Sequence, residues 1–295
     1  MSITAAMVKD LREKTAAGMM DCKKALTECD GDMDKAVDWL RQKGLSKAAK
    51  KAGRATSEGL VGFELAADGK SGVAVEIKCE TDFVARGDKF QGFVKSMVEQ
   101  VAKAEYADSE ALLAAPFVAD ASVSVKEALD GVIATTGENM GLGKFAKLEL
   151  AAGKSGMIGG YLHSNGKLAV LVEVQAGSDA AAASEAFHDL AKNVAMQIAA
   201  ASPLAVCETE LDPAAVEHER EVYRQKARED GKPEQIIEKI AEGAVKKFCK
   251  EVCLLDQLYI RDDKMTINDL VKATAKTIGE PVTVVRFVRI QLGAE

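Results

Sequence analysis

Residues 59–104, GLVGFELAADGKSGVAVEIKCETDFVARGDKFQGFVKSMVEQVAKA, repeat without a gap as residues 156–201, GMIGGYLHSNGKLAVLVEVQAGSDAAAASEAFHDLAKNVAMQIAAA, an offset of 97 (156 − 59). Gly59 matches Gly156, Gly62 matches Gly159, Leu65 matches Leu162, Glu76 matches Glu173, and Asp82 matches Asp179. Phe90, Lys95 and Gln100 match Phe187, Lys192 and Gln197. Such a repeat means one supersecondary unit used twice. Each copy reads as strand, turn, strand, loop and helix. In the first, Val61, Phe63 and Leu65 alternate, Asp68-Gly69 supplies a hairpin turn, and Val73-Ala74-Val75-Glu76-Ile77 returns. A helix from about Asp88 to Lys103 carries Phe90, Phe93, Val94, Met97, Val98 and Val101 on one face. The second copy uses Asn165-Gly166 as its turn, Val170-Leu171-Val172 as its strand, and Phe187, Leu190, Ala191, Val194 and Ile198 as its helix face. The fold class that follows is α+β, with a duplicated core.

The copies differ at one telling place. The first reads Thr81-Asp82-Phe83-Val84 where the second reads Ser178-Asp179-Ala180-Ala181. The stretch falls between strand and helix, where scaffolds present functional groups. Phe83 could instead tuck into its own core, but the second copy manages with Ala180, so the fold does not require an aromatic there.

Length and composition bound the rest. A chain of 295 residues, 47% hydrophobic, buries a full core and is expected to form two or three structural units. No run of about 18 apolar residues is present, and Met1-Ser2-Ile3-Thr4 lacks the features of a signal peptide, so a soluble cytoplasmic protein with no membrane association is expected. Cys22, Cys29, Cys79, Cys207, Cys249 and Cys253 show no Cys-x-x-Cys spacing and no nearby His at ligand spacing; they read as reduced, mostly buried thiols, with no metal site. A net charge of −7 argues against nucleic-acid binding through phosphate neutralisation and favours a protein partner.

The first fifty or so residues read as three helices. Thr4 caps one carrying Met7, Val8 and Leu11; Gly18 restarts the chain into one with Met19, Cys22, Ala25 and Leu26; Asp32 caps one with Met33, Ala36, Val37 and Leu40. So small a unit has a thin core and suits docking. Ser46 to Arg54 reads as a basic, partly helical linker. Further on, Val216 to Glu229 and Glu234 to Lys250 are two charged helices joined at Asp230-Gly231-Lys232-Pro233, with Ile236, Ile237, Ile240, Ala241, Ala244, Val245 and Phe248 in one stripe on the second. This hairpin either packs on the body or protrudes as an arm, which its dense charge suits. A helix from Thr266 to about Thr277 and a strand, Val282 to Ile290, close the chain.

No constellation for catalysis is legible. There is no Gly-x-x-x-x-Gly-Lys-Ser/Thr phosphate loop, His163, His188 and His218 are scattered, and Cys79 has no positioned base. No catalytic residue and no cofactor are expected, which disfavours an enzyme; the three helices and the charged helical pair would suit a passive adaptor that bridges partners.

Residues 15–26, Thr15-Ala16-Ala17-Gly18-Met19-Met20-Asp21-Cys22-Lys23-Lys24-Ala25-Leu26, together with Glu80-Thr81-Asp82-Phe83-Val84-Ala85 and Gly231-Lys232-Pro233, resemble the bacterial elongation factor Ts family, in order over nearly the whole chain. The resemblance implies a ubiquitin-associated-like (UBA-like) helical domain with its basic linker at 1–54, a first core subdomain at 55–140, and a second at 141–295 carrying an inserted coiled coil at about 212–250. It implies the GTPase elongation factor Tu as partner, guanine-nucleotide exchange as activity, and a homodimer or a 2:2 complex as possible assemblies. In such proteins the Asp-Phe pair of Thr-Asp-Phe-Val presses on the GTPase domain behind the nucleotide and disturbs its magnesium and phosphate sites. Here that pair is Asp82-Phe83, with Thr81 and Val84 shaping the loop. Met19 and Met20 would grip the same domain, or else belong to the helical core. The chain closes at Gln291-Leu292-Gly293-Ala294-Glu295, so contacts made by the further C-terminal helical segment of some relatives are not expected.

Overall fold

The computed structural model describes residues 3–15 and 17–294; Met1, Ser2, Glu295 and Ala16 of the first motif lie outside the described residues. Contacts divide the chain into two compact units, Met1–Phe63 with Val73–Lys147 and Ile290–Glu295, and Glu64–Gly72 with Leu148–Arg289.

The first unit opens with α1 (Ala5–Thr15), α2 (Met19–Glu28) and α3 (Met33–Ala49). Thr4 and Asp32 cap α1 and α3 by accepting from the Met7 and Lys35 amides. Val8, Leu11, Cys22, Ala25, Leu26 and Ala36 make a small core of their own. The third helix runs on to Ala49, so the basic stretch is helical in its first part, as its reading as a partly helical linker expects. Next come β1 (Glu58–Leu65), β2 (Ser71–Cys79), a one-turn helix α4 (Asp82–Ala85), α5 (Asp88–Lys103), α6 (Ser109–Ala114), β3 (Pro116–Phe117), β4 (Asp120–Ser124), α7 (Val125–Thr136) and β5 (Met140–Glu149). The main sheet has the order β1-β2-β5. Its central strand is buried almost throughout, as the unbroken apolar run Val73-Ala74-Val75 requires. The α5 face read from the sequence, Phe90 through Val101, packs with β2 and with Val125, Leu129 and Ile133 of α7 in one core. Gly62 lets α5 come close, because a Cβ there would lie 2.5 Å from Val98.

The second unit repeats this order in β6 (Gly156–Leu162), β7 (Leu168–Ala176), α8 (Asp179–Ala182) and α9 (Glu185–Ala201). Two long helices follow, α10 (Pro213–Glu229) and α11 (Glu234–Val252), and then β8 (Leu258–Tyr259), β9 (Asp262–Thr266), α12 (Ile267–Ile278) and β10 (Val282–Gln291). The sheet order is β10-β7-β6, and the β6–β7 pair is antiparallel, with Gly159 opposite Val172. Gly69 and Gly166 both take the left-handed conformation in the matching turns (φ 68° and 67°).

The duplication extends beyond the ungapped segment. From β3 onward the offset is 142 (267 − 125): the short hairpin β3–β4, the helix α7 and the strand β5 recur as β8–β9, α12 and β10. Both helices begin with a capping box, Ser124 with Glu127 and Thr266 with Asp269, and both end at a left-handed glycine, Gly137 and Gly279. Gln100 is buried and spans its hairpin, Nε2 donating to the Pro116 carbonyl and Oε1 accepting from the Val118 amide. Gln197 does the same with Leu258 and Ile260, the equivalent positions. The helical pair α10–α11 occupies the interval in which the offset grows.

In that pair, Ile237, Ala241, Val245 and Cys249 of α11 are buried, whereas Ile236 and Ile240 are exposed. The broad stripe read from the sequence is therefore only partly covered, since a single facing helix shields one seam of a helix and not its flanks.

Candidate functional site

The segment that differs between the copies begins where β2 ends. Cys79 is fully buried and its thiol donates to the Thr81 carbonyl at 3.2 Å. Burial, reinforced by the Glu138 carboxylate, pushes that thiol up to about 11, so it is a neutral donor and not a nucleophile. Thr81 is extended, and its Oγ1 accepts from the Val84 amide at 3.3 Å, capping α4. The sequence reading placed a loop here. Four residues are too few to show a helical period, and the cap is what folds them into a turn.

Within that turn the side chains part company. Ala85 is buried and Val84 packs against the core of the first unit. Phe83 is 84% exposed, and Asp82 and Thr81 are exposed with it. Asp82 pairs with Arg86 at 3.0 Å, but both side chains are open to water and the pair contributes little. The reading in which Phe83 fills its own core is excluded.

Two carboxylates brace the turn from outside it. Glu138, just beyond the C-terminal glycine of α7, accepts from the Thr81 amide at 3.0 Å with one oxygen and from the Thr81 hydroxyl at 2.7 Å with the other. Glu80 accepts from the Asn139 amide at 2.6 Å and from Arg54 at 3.4 Å. The Asn139 hydrogen bond, with the Arg54 charge second, holds the Glu80 carboxyl below its ordinary value. Asn139 in turn donates its side-chain amide to the Arg54 carbonyl at 2.7 Å. Sequence reasoning missed Glu138 and Asn139. The signal was present in the second-level repeat, which aligns Glu138-Asn139 with Glu280-Pro281.

Met19 and Met20 open α2 behind Gly18, which supplies no side-chain cap. They are 58% and 76% exposed, while Cys22, Ala25 and Leu26 form the buried face, so the alternative that places these methionines in the helical core is excluded. From them the chain of packing leads through α2 to α3 and on towards the turn of Phe83. The link runs through α7: α3 packs against it, Arg41 of α3 pairs with Glu127 of α7 at 2.5 Å, and α7 ends at Gly137, one residue before Glu138.

The three histidines are exposed on separate elements, and among the described residues no group of three or more His, Cys, Asp or Glu is placed to hold a metal ion. No helix among the described residues is long and apolar enough to cross a membrane.

Residues 80–294 match the family described as elongation factor TS. The chain is 59% identical over 295 residues to elongation factor Ts of Nitratidesulfovibrio vulgaris (strain DP4), covering all of this chain and 97% of that one. It is 56% identical to elongation factor Ts of Lawsonia intracellularis (strain PHE/MN1-00), with both chains covered in full. Against elongation factor Ts of Clostridium novyi (strain NT) it is 50% identical over 291 residues, 99% of this chain and 93% of that one.

Proposed function

The chain belongs to the elongation factor Ts family and is thus a translation elongation factor, and from that premise we propose that it is a guanine-nucleotide exchange factor. Its partner is the GTPase elongation factor Tu in the GDP form. Phe83, with Asp82 beside it, is the lever that disturbs the magnesium and phosphate sites of that GTPase, while Thr81 and Val84 hold the lever's base. Met19 and Met20 contribute a second grip. The observation that carries this reading is a solvent-exposed aromatic on a capped and braced turn, in the copy of the repeat that has it, opposite Ala180 in the copy that does not.

Exchange of this kind needs no catalytic side chain and no cofactor. A factor that binds its partner better without nucleotide must, by reciprocity, weaken the partner's hold on nucleotide by the same factor. Each tenfold loosening of GDP requires about 1.4 kcal/mol, and burying one Phe yields about 1.5 to 3 kcal/mol. Phe83 alone then accounts for about one to two decades, and the remainder must come from further contacts, which this reading assigns to Met19 and Met20. The same reading assigns residues 1–54 to a UBA-like domain and linker, 55–140 and 141–295 to the two core subdomains, and about 212–250 to a coiled coil. It puts the protein in the cytoplasm, with a homodimer or a 2:2 complex as its assembly.

Stopped-flow release of a fluorescent GDP from elongation factor Tu tests it. Titrating the wild-type chain should accelerate release strongly, and Phe83→Ala and Asp82→Ala should lose much of that acceleration while remaining folded. Binding without acceleration would instead identify a passive adaptor.

A further inference from the structure

The copies differ not only at Phe83 but in what holds the turn beneath it. In the first copy, Thr81 gives both of its donors to Glu138, and the next residue, Asn139, gives its amide to Glu80. In the second copy, Gly177 stands where Glu80 would be and has no carboxylate to accept, and Pro281 stands where Asn139 would be and has no amide hydrogen to donate. Glu280 is retained, but it lies against Gly177, where an added Cβ would come within 2.3 Å of its carboxylate. Ser178 still caps its own turn through the Ala181 amide, so a cap alone suffices to form a one-turn helix. The extra hydrogen bonds of the first copy are therefore not needed to make the turn. They occur where the turn carries an exposed aromatic.

We infer that Glu138 is a positioning residue for nucleotide exchange: by gripping both donors of Thr81, and with Glu80 fixing the neighbouring strand, it holds α4 so that Phe83 stands in one orientation. The inference rests on the reading of Phe83 as the exchange lever and adds a residue that acts on it through Thr81. A four-residue helix has too few internal hydrogen bonds to fix its own direction. Without the brace, the ring would sample several orientations, each needing reordering at the partner's surface. Because α7 carries both the packing surface for α3 and, beyond Gly137, the brace itself, the position of α2, where Met19 and Met20 lie, and that of Phe83 are referred to the same helix.

The experiment is release of fluorescent GDP from elongation factor Tu, measured to saturation in the full-length chain for wild type, Glu138→Ala, Glu138→Gln, Phe83→Ala and the Phe83→Ala/Glu138→Ala double variant. Glu138→Ala should lower the maximal stimulated rate by about tenfold and shift the half-saturating concentration by less than about threefold, since the interaction lost acts on orientation rather than on docking. In the double variant the rate should equal that of Phe83→Ala alone, because Glu138 acts only through the ring. Glu138→Gln, which keeps an acceptor oxygen, should recover most of the rate and covers the case in which Glu138→Ala fails to fold. A wild-type rate in Glu138→Ala beside a slow Phe83→Ala overturns the inference and leaves the lever reading standing. So does a further loss in the double variant, or a Glu138→Gln as slow as a folded Glu138→Ala. A wild-type rate in Phe83→Ala itself overturns the lever reading instead.

Discussion

Phe83, Phe90 and Phe187 are the same residue type with opposite roles, and substitution separates them. Phe90 and Phe187 are fully buried at matching positions of α5 and α9, so Phe90→Ala and Phe187→Ala should each cost about 3 to 5 kcal/mol in urea denaturation. Phe83→Ala, at an exposed site, should change stability by no more than about 0.5 kcal/mol. A loss comparable to Phe90→Ala would mean that the ring packs in solution. The burial of Phe90 and Phe187 was legible from helical spacing, whereas the exposure of Phe83 was legible only as a contrast between copies. Met19 and Met20 could not be placed from periodicity, since both open a helix whose buried face is set by Cys22, Ala25 and Leu26. Titration adds a second test at this scale. Glu80 lies below its ordinary value of 4.5 in the folded chain, so its ionised form favours the fold at any pH above that value. The contribution is lost as pH falls through the folded value, because the unfolded chain takes up the proton first. In acid titrations followed by thermal unfolding, Glu80→Gln should therefore show a flatter decline below the ordinary carboxyl range than wild type, and identical slopes would dismiss the brace.

Among the elements, α7 binds most of the first unit together. Its buried residues Val125, Leu129 and Ile133 share the core with α5, its outer side receives α3, and its end leads into Glu138. The capping box at its start is complete: the Ser124 side chain accepts from the Glu127 amide at 3.2 Å, and Glu127 accepts from the Ser124 amide at 2.8 Å. That backbone hydrogen bond, then Arg41, holds the Glu127 carboxyl below its ordinary value. Ser124→Ala should cost about 1 kcal/mol, read as a lowered thermal midpoint, with Thr266→Ala matching it at the equivalent start of α12. This element was not read from the sequence, although Ser-x-x-Glu before an apolar run is a start signal, because the short strands β3 and β4 offer no alternation long enough to frame it. The long helices α5, α9, α10 and α11 were read correctly because each presents several turns of spacing. The turn α4 was not, for want of length.

At the scale of the whole molecule, the duplication explains the architecture once the offset is allowed to change. Up to Ala201 the copies run 97 residues apart and from β8 onward 142 apart, so the second copy is the first with a helical pair let into the connection between α9 and β8. Leu112 and Leu254, fully buried at equivalent places just before β3 and β8, show that the core is resumed without change once the inserted pair has ended. The hairpin has its own small core at its base, formed by Ala205, Leu211, Val245, Cys249 and Cys253. Towards the tip, charge takes over: Arg224 meets Glu217, Glu221 and Glu238 at 2.8 to 3.2 Å, and Arg228 meets Glu221 and Glu234. Ion pairs this exposed add little stability singly, so the outer hairpin depends on its base and the body does not depend on the outer hairpin. Excising residues 217–243 and closing the gap with a short glycine-serine turn should therefore leave the thermal midpoint of the body nearly unchanged and its unfolding cooperative, with a smaller urea m-value as less surface becomes exposed on unfolding. Loss of cooperativity, or a midpoint lowered by about 10 °C or more, would show instead that the inserted pair is a structural part of the second unit.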